Sequence, residues 1–454
     1  MEDVLIGRIL TGLTLGVHIL YATVGVGIPL LIMILEFLGI KKNDYHYLTM
    51  ARRIAMGYTV TVAVGVVTGT IIGLQLSLIW PQFMQLAGHI IALPLFMETF
   101  AFFFEAIFLG IYLYTWDRFK NRWHHWYLTI PVVLGAGISA VFITMVNSFM
   151  NSPAGFKIVD GVLQNVDPLK AMFNPSMPER VFHVLVTAYM TAAFIMVTIA
   201  AFNLLKSKFD EDREYHKKGL KVMMVIGLIM AGLTVLAGDL SAKYLHNHQP
   251  EKLAAMEWHF ETESNADLIL FGVLDEENQE VKGALRIPSA LSILSDWKPS
   301  TEVTGLNDIP KDEWPPLVIH YFFDVMVFFG MFGLGASLLY FILKWLKPNL
   351  VHSKLMLYIY VLTGPLSFLA IEAGWFTAEL GRQPWMVRGY MRVSEAITEA
   401  SGLGLTLILF GILYFVLVTT TILVLTRMFK DKSAKESQIQ YYGTESLDET
   451  GGRF

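Results

Sequence analysis

Apolar residues fall in long runs separated by short polar stretches, and this patterning predicts the elements of the fold. The runs cover roughly residues 5–38, 54–79, 90–115, 126–150, 180–206, 219–240, 316–345, 355–378 and 402–427. Each reaches the about 20 residues that a helix needs to cross a bilayer. The first is longer than that and predicts a helix that tilts or extends beyond the membrane. No alternation of period two competes with the helical reading. The pattern predicts an all-α membrane protein of about nine transmembrane helices, helices 1–6 within 1–240 and helices 7–9 within 316–427.

Two stretches break the pattern. Residues 241–315 are rich in charge, with scattered aromatics, Pro310 and Pro315, and Pro316 directly follows. The stretch is too short for an independent enzyme domain, and a loop of this length is either functional or disordered. Residues 428–454 are polar and poor in apolar side chains, which predicts a disordered tail. Basic residues set the orientation. Lys41, Lys42, Arg52 and Arg53 follow the first run, Arg118, Lys120 and Arg122 the third, and Lys208, Arg213, Lys217 and Lys218 the fifth. Lys344, Lys347 and Lys354 follow the seventh, and Arg427, Lys430 and Lys432 the ninth. All alternate onto one side. The N-terminus and the 241–315 loop are expected outside, and the C-terminus in the cytoplasm. Residues 381–392 also face outside despite three arginines, so those arginines are expected to be held by anionic groups.

Composition agrees. The 454 residues are 54% hydrophobic and 16% charged, against about 25% charged in an ordinary soluble domain. A net charge of -5, spread over loops and tail, points to no nucleic-acid partner. Cysteine is absent, which excludes disulfides, zinc–thiolate sites, iron–sulfur clusters and covalent c-type haem. The N-terminus lacks a signal peptide's charged n-region, and its first apolar run is too long for one.

Candidate chemistry lies in polar residues inside the apolar runs. Gly374-Trp375-Phe376-Thr377-Ala378-Glu379-Leu380-Gly381-Arg382-Gln383-Pro384-Trp385 closes the eighth run. Glu372 and Glu379 are seven apart, so on a helix both project from nearly one face. Gly381 and Pro384 stop the helix with Arg382 at its mouth. A helix end with interfacial tryptophans and a snorkelling arginine explains Trp385, but it does not explain the two carboxylates, which favour a cofactor or proton site. His18 lies mid-run, where an interhelical hydrogen bond and iron ligation are equally good readings. His183 begins its run and can reach water. Glu98 and Glu105 repeat the seven-residue spacing among phenylalanines, which suits proton relay or a metal centre. A di-iron site would want Glu-x-x-His motifs, and none occurs in an apolar run. Met326 by itself is an unremarkable core residue among 22 methionines. Ser139, Asn147 and Asn151 suit interhelical hydrogen bonds as well as a pathway.

The run GWxxxExGRQPW resembles the most distinctive motif of subunit I of the cytochrome bd quinol oxidases, and the resemblance spans essentially the whole chain. It implies two high-spin haems and one low-spin haem: two b-type haems with one haem d, or haem b in place of haem d. His18 matches the ligand of one high-spin haem and Glu379 that of the other. His183 and Met326 match the axial pair of the low-spin haem. Glu98 and Glu105 match carboxylates of haem ligation and proton delivery. Trp375 and Arg382 match residues that bridge the haems and hold propionates, and Arg8 is assigned a similar propionate role. Lys252 and Glu257, in Lys252-Leu253-Ala254-Ala255-Met256-Glu257, resemble the quinol-binding pair on a loop of the family's short form. Without that context they read as an ordinary solvated pair. One departure stands out: two positions before Met326 the family usually has a basic residue, and here it is Asp324.

The resemblance implies a respiratory terminal oxidase in a prokaryotic cytoplasmic membrane. It would oxidise quinol on the outer side and reduce dioxygen to water with cytoplasmic protons. Its expected partners are a second membrane subunit, a small single-helix subunit and the lipid bilayer. The alternatives are a cyanide-insensitive oxidase of the same family with b-type haem only and, remotely, a proton-coupled transporter. The unpaired helix count, His18, His183 and Glu379 weigh against the transporter.

Overall fold

The computed structural model describes residues 2–159, 162–206, 210–430 and 432–447. Among them, nine helical spans are long and apolar enough to cross a membrane. They are α1 (Glu2–Lys42), α2 (Tyr45–Ile79), α3 (Pro81–Tyr114), α4 (Arg122–Trp126) running into α5 (Thr129–Asn151), α7 (Met177–Lys206), α8 (Arg213–His248), α11 (Ile319–Leu346), α12 (Lys354–Leu380) and α14 (Leu403–Phe429). Their ends follow local chemistry. The Asp44 side chain accepts from the His46 amide to open α2, Pro81 opens α3, and Gly381 caps α12. Several helices overrun the apolar runs, α8 by a turn or more at each end, because helical hydrogen bonding continues through polar residues outside a bilayer.

Helices α7, α8, α11 and α12 form one packed group, and α1 bridges it to α2 and α5. Small residues permit close crossings. A Cβ at Gly27 of α1 would lie 2.7 Å from the Ala188 carbonyl of α7. The Phe194 ring is wedged against Gly227 of α8 and Gly333 of α11, 2.7 and 2.6 Å from their Cβ positions. At Gly135 the α5 backbone lies 2.9 Å, on the same measure, from the backbone of Glu105 on α3.

Between α5 and α7, strands β1 (Lys157–Val159) and β2 (Val162–Gln164) pair, followed by α6 (Pro168–Met172). The 241–315 region is ordered. After α9 (Pro250–Met256) come β3 (Glu263–Ser264), β4 (Leu268–Leu270), β5 (Val273–Asp275), β6 (Glu280–Lys282), β7 (Leu285–Ile287), α10 (Ala290–Asp296) and β8 (Glu302–Val303). The strands pair antiparallel as β3–β8, β4–β7 and β5–β6, around an apolar cluster that includes Leu253, Trp258, Phe260, Leu291 and Leu306. Among the described residues, period-two pairing thus occurs only in stretches of two or three residues, too short to read as a pattern. Beyond α12, a hairpin of β9 (Trp385–Val387) and β10 (Met391–Arg392) leads into α13 (Val393–Ala396).

The tail departs from its expectation of disorder. Residues Ala434–Tyr442 form helix α15, opened by a Ser433–Glu436 capping box. Asp212 accepts from the Ala434 and Lys435 amides at 2.6 and 2.9 Å, and Arg53 donates to the Ser433 carbonyl at 3.0 Å. Composition missed it because these anchors come from distant parts of the chain. Residues 431 and 448–454 of that expectation lie outside the described residues. The basic loops and the tail therefore meet at one end of the molecule, opposite the 241–315 region.

Candidate active site

The GRQPW stretch meets the 241–315 loop where α12 ends. Arg382 donates to Glu379 Oε2 at 2.6 Å, and Asn147 of α5 donates to Glu379 Oε1 at 2.7 Å. Arg180, one turn before His183, donates to Asn147 at 3.3 Å. Lys252 of α9 reaches in from the loop and donates to the Ala378 carbonyl at 3.3 Å. Its Cε lies 2.5 Å from where a Cβ at Gly381 would sit, so the glycine leaves room for it. The three arginines of the stretch are each paired with a carboxylate, as expected: Arg382 with Glu379, Arg388 with Glu251 and Arg392 with Asp312, each at 2.6 Å. The last two tie the hairpin to the loop.

This corner is rich in cation. Arg180, Lys252 and Arg382 converge against Glu379 and Glu179. Lys252 is buried, and burial together with the Arg180 guanidinium holds its ammonium well below the usual lysine range. Nε of Arg180 and Nε of Arg382 are buried without hydrogen-bond partners. Unsatisfied guanidinium N–H groups of this kind are suited to a bound anion, and they fit the propionates of a haem.

Further along, other candidate ligands occupy tight positions. The Met326 Sδ of α11 is 3.0 Å from the Cβ position of Gly374 on α12. His183 on α7 has a buried Nδ1 with no partner. Both α7 and α11 pack on α12, so the two flank one helix. His18 is oriented by Thr68, whose hydroxyl meets its Nδ1 at 2.9 Å, and its ring rests over Gly69, Cε1 being 3.1 Å from that residue's Cβ position. Such a contact to one ring nitrogen directs the other toward a metal. Glu372 Oε2 approaches the Cβ position of Gly16 on α1 to 3.3 Å, while its Oε1 has no partner. Trp375 is half-buried on α12 between the two glutamates. Arg8 is half-buried near the start of α1 and makes no ion pair among the described residues. Glycines where a side chain would collide, unpartnered imidazole and guanidinium nitrogens and an oriented histidine are together a donor set that fits haem.

Glu98 and Glu105 lie apart from this corner. Ser139 donates to Glu98 at 2.9 Å. Glu105 is buried and is in hydrogen-bond contact with the Tyr58 hydroxyl, which also reaches the Gly25 carbonyl at 2.8 Å.

In the loop, Glu257 is fully buried, with no hydrogen bond to either oxygen. Burial, and then the charge of Asp324, pushes its pKa up to about 8. Asp324 faces the loop: it accepts from the Phe271 amide at 2.6 Å and lies 3.3 Å from His320 Nε2. His320 in turn holds the Met256 carbonyl at 2.7 Å and stacks on Trp258. The unusual acid at this position fastens the loop to α11. Sequence reasoning gave no role to Arg180, Tyr58 or His320. Arg180 carried a signal in its three-residue spacing from His183, which puts both near one helical face, whereas Tyr58 and His320 depend on partners from other helices.

Comparison with known proteins finds relatives along nearly the whole chain. The family model for "Cytochrome bd terminal oxidase subunit I" matches residues 6–433. A Bacillus subtilis protein named putative cytochrome bd menaquinol oxidase subunit I is 40% identical over 437 residues, covering 96% of this chain and 98% of the relative. A second B. subtilis protein, cytochrome bd ubiquinol oxidase subunit 1, is 31% identical over 448 residues, covering 95% and 94%. The structure of the bd oxidase from Geobacillus thermodenitrificans contains a chain 57% identical with a TM-score of 0.91, covering 94% of this chain and 98% of that one.

Proposed function

Because the chain belongs to the cytochrome bd terminal oxidase subunit I family, we propose that it oxidises quinol at the Lys252–Glu257 loop and serves dioxygen reduction with protons drawn through Glu105 and Glu98. It is a multi-pass protein of the cytoplasmic membrane and a subunit of a quinol:oxygen oxidoreductase. The observation that carries the reading is the cationic corner, where Arg180, Lys252 and Arg382 gather beneath the loop that buries Glu257.

His18, His183, Met326 and Glu379 would hold haem iron, with Arg382, Arg180 and Arg8 toward the propionates and Trp375 between the haem sites. Bound there, the haems supply electron transfer and oxygen reduction, chemistry that belongs to the cofactor. The protein supplies positions and protons. Glu257, protonated at neutral pH, can donate a hydrogen bond to a quinol oxygen and, once ionised, accept the hydroxyl proton. Lys252 beside the Ala378 carbonyl orients the ring. The loop lies outside, so those protons are released there. Glu105 holds a proton between its carboxyl and Tyr58, and Glu98 holds the next one beside Ser139. The basic loops mark the cytoplasmic side, from which these protons come, and leave the N-terminus outside.

Family subunits I work with a second membrane subunit. Its seat would be the faces of α2, α3 and α14, which together with α11 are the four least buried spans, where Leu78, Phe96, Phe100, Leu405 and Phe415 are exposed. A small single-helix subunit is a further expected partner.

The test is a reduced-minus-oxidised visible spectrum of the purified oxidase, with carbon monoxide added afterwards. A red chlorin band that shifts with carbon monoxide marks haem d, b-type bands alone mark the haem b form, and the absence of haem overturns the proposal. Glu379→Ala is expected to lose one high-spin signal. An unchanged spectrum with unchanged turnover would remove Glu379 from the ligand set.

A further inference from the structure

The α3 face that carries Glu98 and Glu105 continues. Tyr112 lies seven residues beyond Glu105, as Glu105 lies seven beyond Glu98, so all three project from nearly one side. The buried Tyr112 hydroxyl donates to Glu36 Oε2 of α1 at 2.8 Å. Glu36 Oε1 lies 2.6 Å from Nδ1 of His125 on α4. Glu36 and His125 are each 1% exposed, and neither takes part in the site above. Burying such a pair is costly, because each ion gives up water before their attraction offsets the loss.

Hydrogen-bond chemistry fixes the proton count. His125 Nε2 faces the Tyr112 carbonyl at 2.8 Å. A carbonyl only accepts, so Nε2 carries a hydrogen. Nδ1 and Oε1 are both acceptors when bare, and at 2.6 Å they need one proton between them. Whether that proton rests on nitrogen or oxygen, the pair is neutral overall. The groups around it come from several elements. Tyr112 stacks on His125 and Trp116 meets it edge-on. Arg52 of α2 lies over Trp116, and Arg122 lies over Tyr442 of α15. The Trp116 indole donates to the Tyr442 hydroxyl at 3.1 Å. The pair therefore sits just inside an arginine-lined end that the tail helix covers.

We infer that Glu36, His125 and Tyr112 form a proton-loading station that feeds Glu105, an inference that rests on the proton supply proposed above. Both ring nitrogens of His125 already face a proton, so a further proton reaching the pair adds at Glu36 Oε2 and leaves a carboxylic acid beside an imidazolium. The Tyr112 hydroxyl, which at rest donates to Oε2, turns away from the protonated acid, accepts the proton from Oε2 and releases its own toward Glu105. One proton enters, one leaves, and the pair returns to neutrality. From Tyr112 to Glu105 the helix climbs roughly 10 Å past the buried Leu109, a gap that the proposal requires waters to bridge. A purely structural clasp would need the Glu36–His125 contact but not the exchangeable phenol proton.

The test uses the complete oxidase in liposomes. Haem spectrum, quinol-driven oxygen uptake, the solvent deuterium isotope effect and the carboxyl infrared band are compared for wild type, Glu36→Gln, Glu36→Asp and Tyr112→Phe. Glu36→Gln and Tyr112→Phe are expected to keep the haem spectrum, lose at least about tenfold in turnover and show a larger isotope effect. Glu36→Gln is also expected to lose a protonated-carboxyl band, and Glu36→Asp to recover part of the rate. Wild-type turnover and isotope effect in variants with normal haem overturn the station. Tyr112→Phe leaves the Glu36–His125 contact in place, so it decides alone if Glu36→Gln fails to assemble. A wild-type enzyme that takes up no protons from the basic-loop side would instead overturn the proton supply itself.

Discussion

Glu257→Gln tests whether the quinol loop is held around a protonated acid. In the folded protein the Glu257 pKa stands at about 8 against an ordinary 4.5, because its carboxyl is buried without hydrogen-bond partners and faces Asp324. A folded value above the unfolded one means that the folded state holds the proton longer. The resulting stability is complete below pH 4.5, falls as the pH rises, and is gone above about 8. At about 1.4 kcal/mol per pH unit, the loss across that window is at most about 5 kcal/mol. Glutamine has no proton to lose and escapes it. Thermal unfolding in detergent, combined with proteolysis of residues 257–315, is expected to show Glu257→Gln and wild type close together near pH 5, with the variant clearly more stable near pH 8. Quinol oxidation should fall in the same variant, because an amide cannot accept the hydroxyl proton. A difference between variant and wild type that fails to grow with pH would refute the buried-acid account.

Gly135→Ala is expected to force α3 and α5 apart, since its Cβ would fall 2.9 Å from the Glu105 backbone. About 1–3 kcal/mol of stability should be lost, read as a lower melting temperature together with slower oxygen uptake. Asp212→Ala removes both acceptors from the first turn of α15, at a cost of about 0.5–2 kcal/mol. Faster proteolysis near residue 432 with an unchanged haem spectrum is the expected result.

The spans were legible because a bilayer demands about 20 apolar residues at a time, a signal that Glu98 or His18 interrupts without erasing. The GRQPW stretch was legible for a related reason: charge at the end of an apolar run needs explaining, and its three arginines do find carboxylates. What escaped was whatever depends on residues far apart in the chain. Asp324 looked misplaced because its partners, the Phe271 amide and His320, become visible only once the loop folds over α11. The short strands of the outer region hold two or three residues each, too few for period two to register. The tail helix depends on Asp212 and Arg53, more than 200 residues away.

That tail helix also bears on how the chain is made. Synthesis proceeds from the N-terminus, so α1 to α3 enter the membrane long before α15 leaves the ribosome. Until then the Asp212 carboxylate lacks the α15 amides it will accept from, and Arg53 lacks the Ser433 carbonyl and Ser437 hydroxyl that it binds in the finished molecule. A segment translated after the ninth span therefore seals the surface formed by α2 and the turn before α8. A chain truncated before Ser433 would carry every membrane helix and every candidate haem ligand, yet present an unfinished surface to the quality-control proteases on that side. This face is finished only after every described span has left the ribosome.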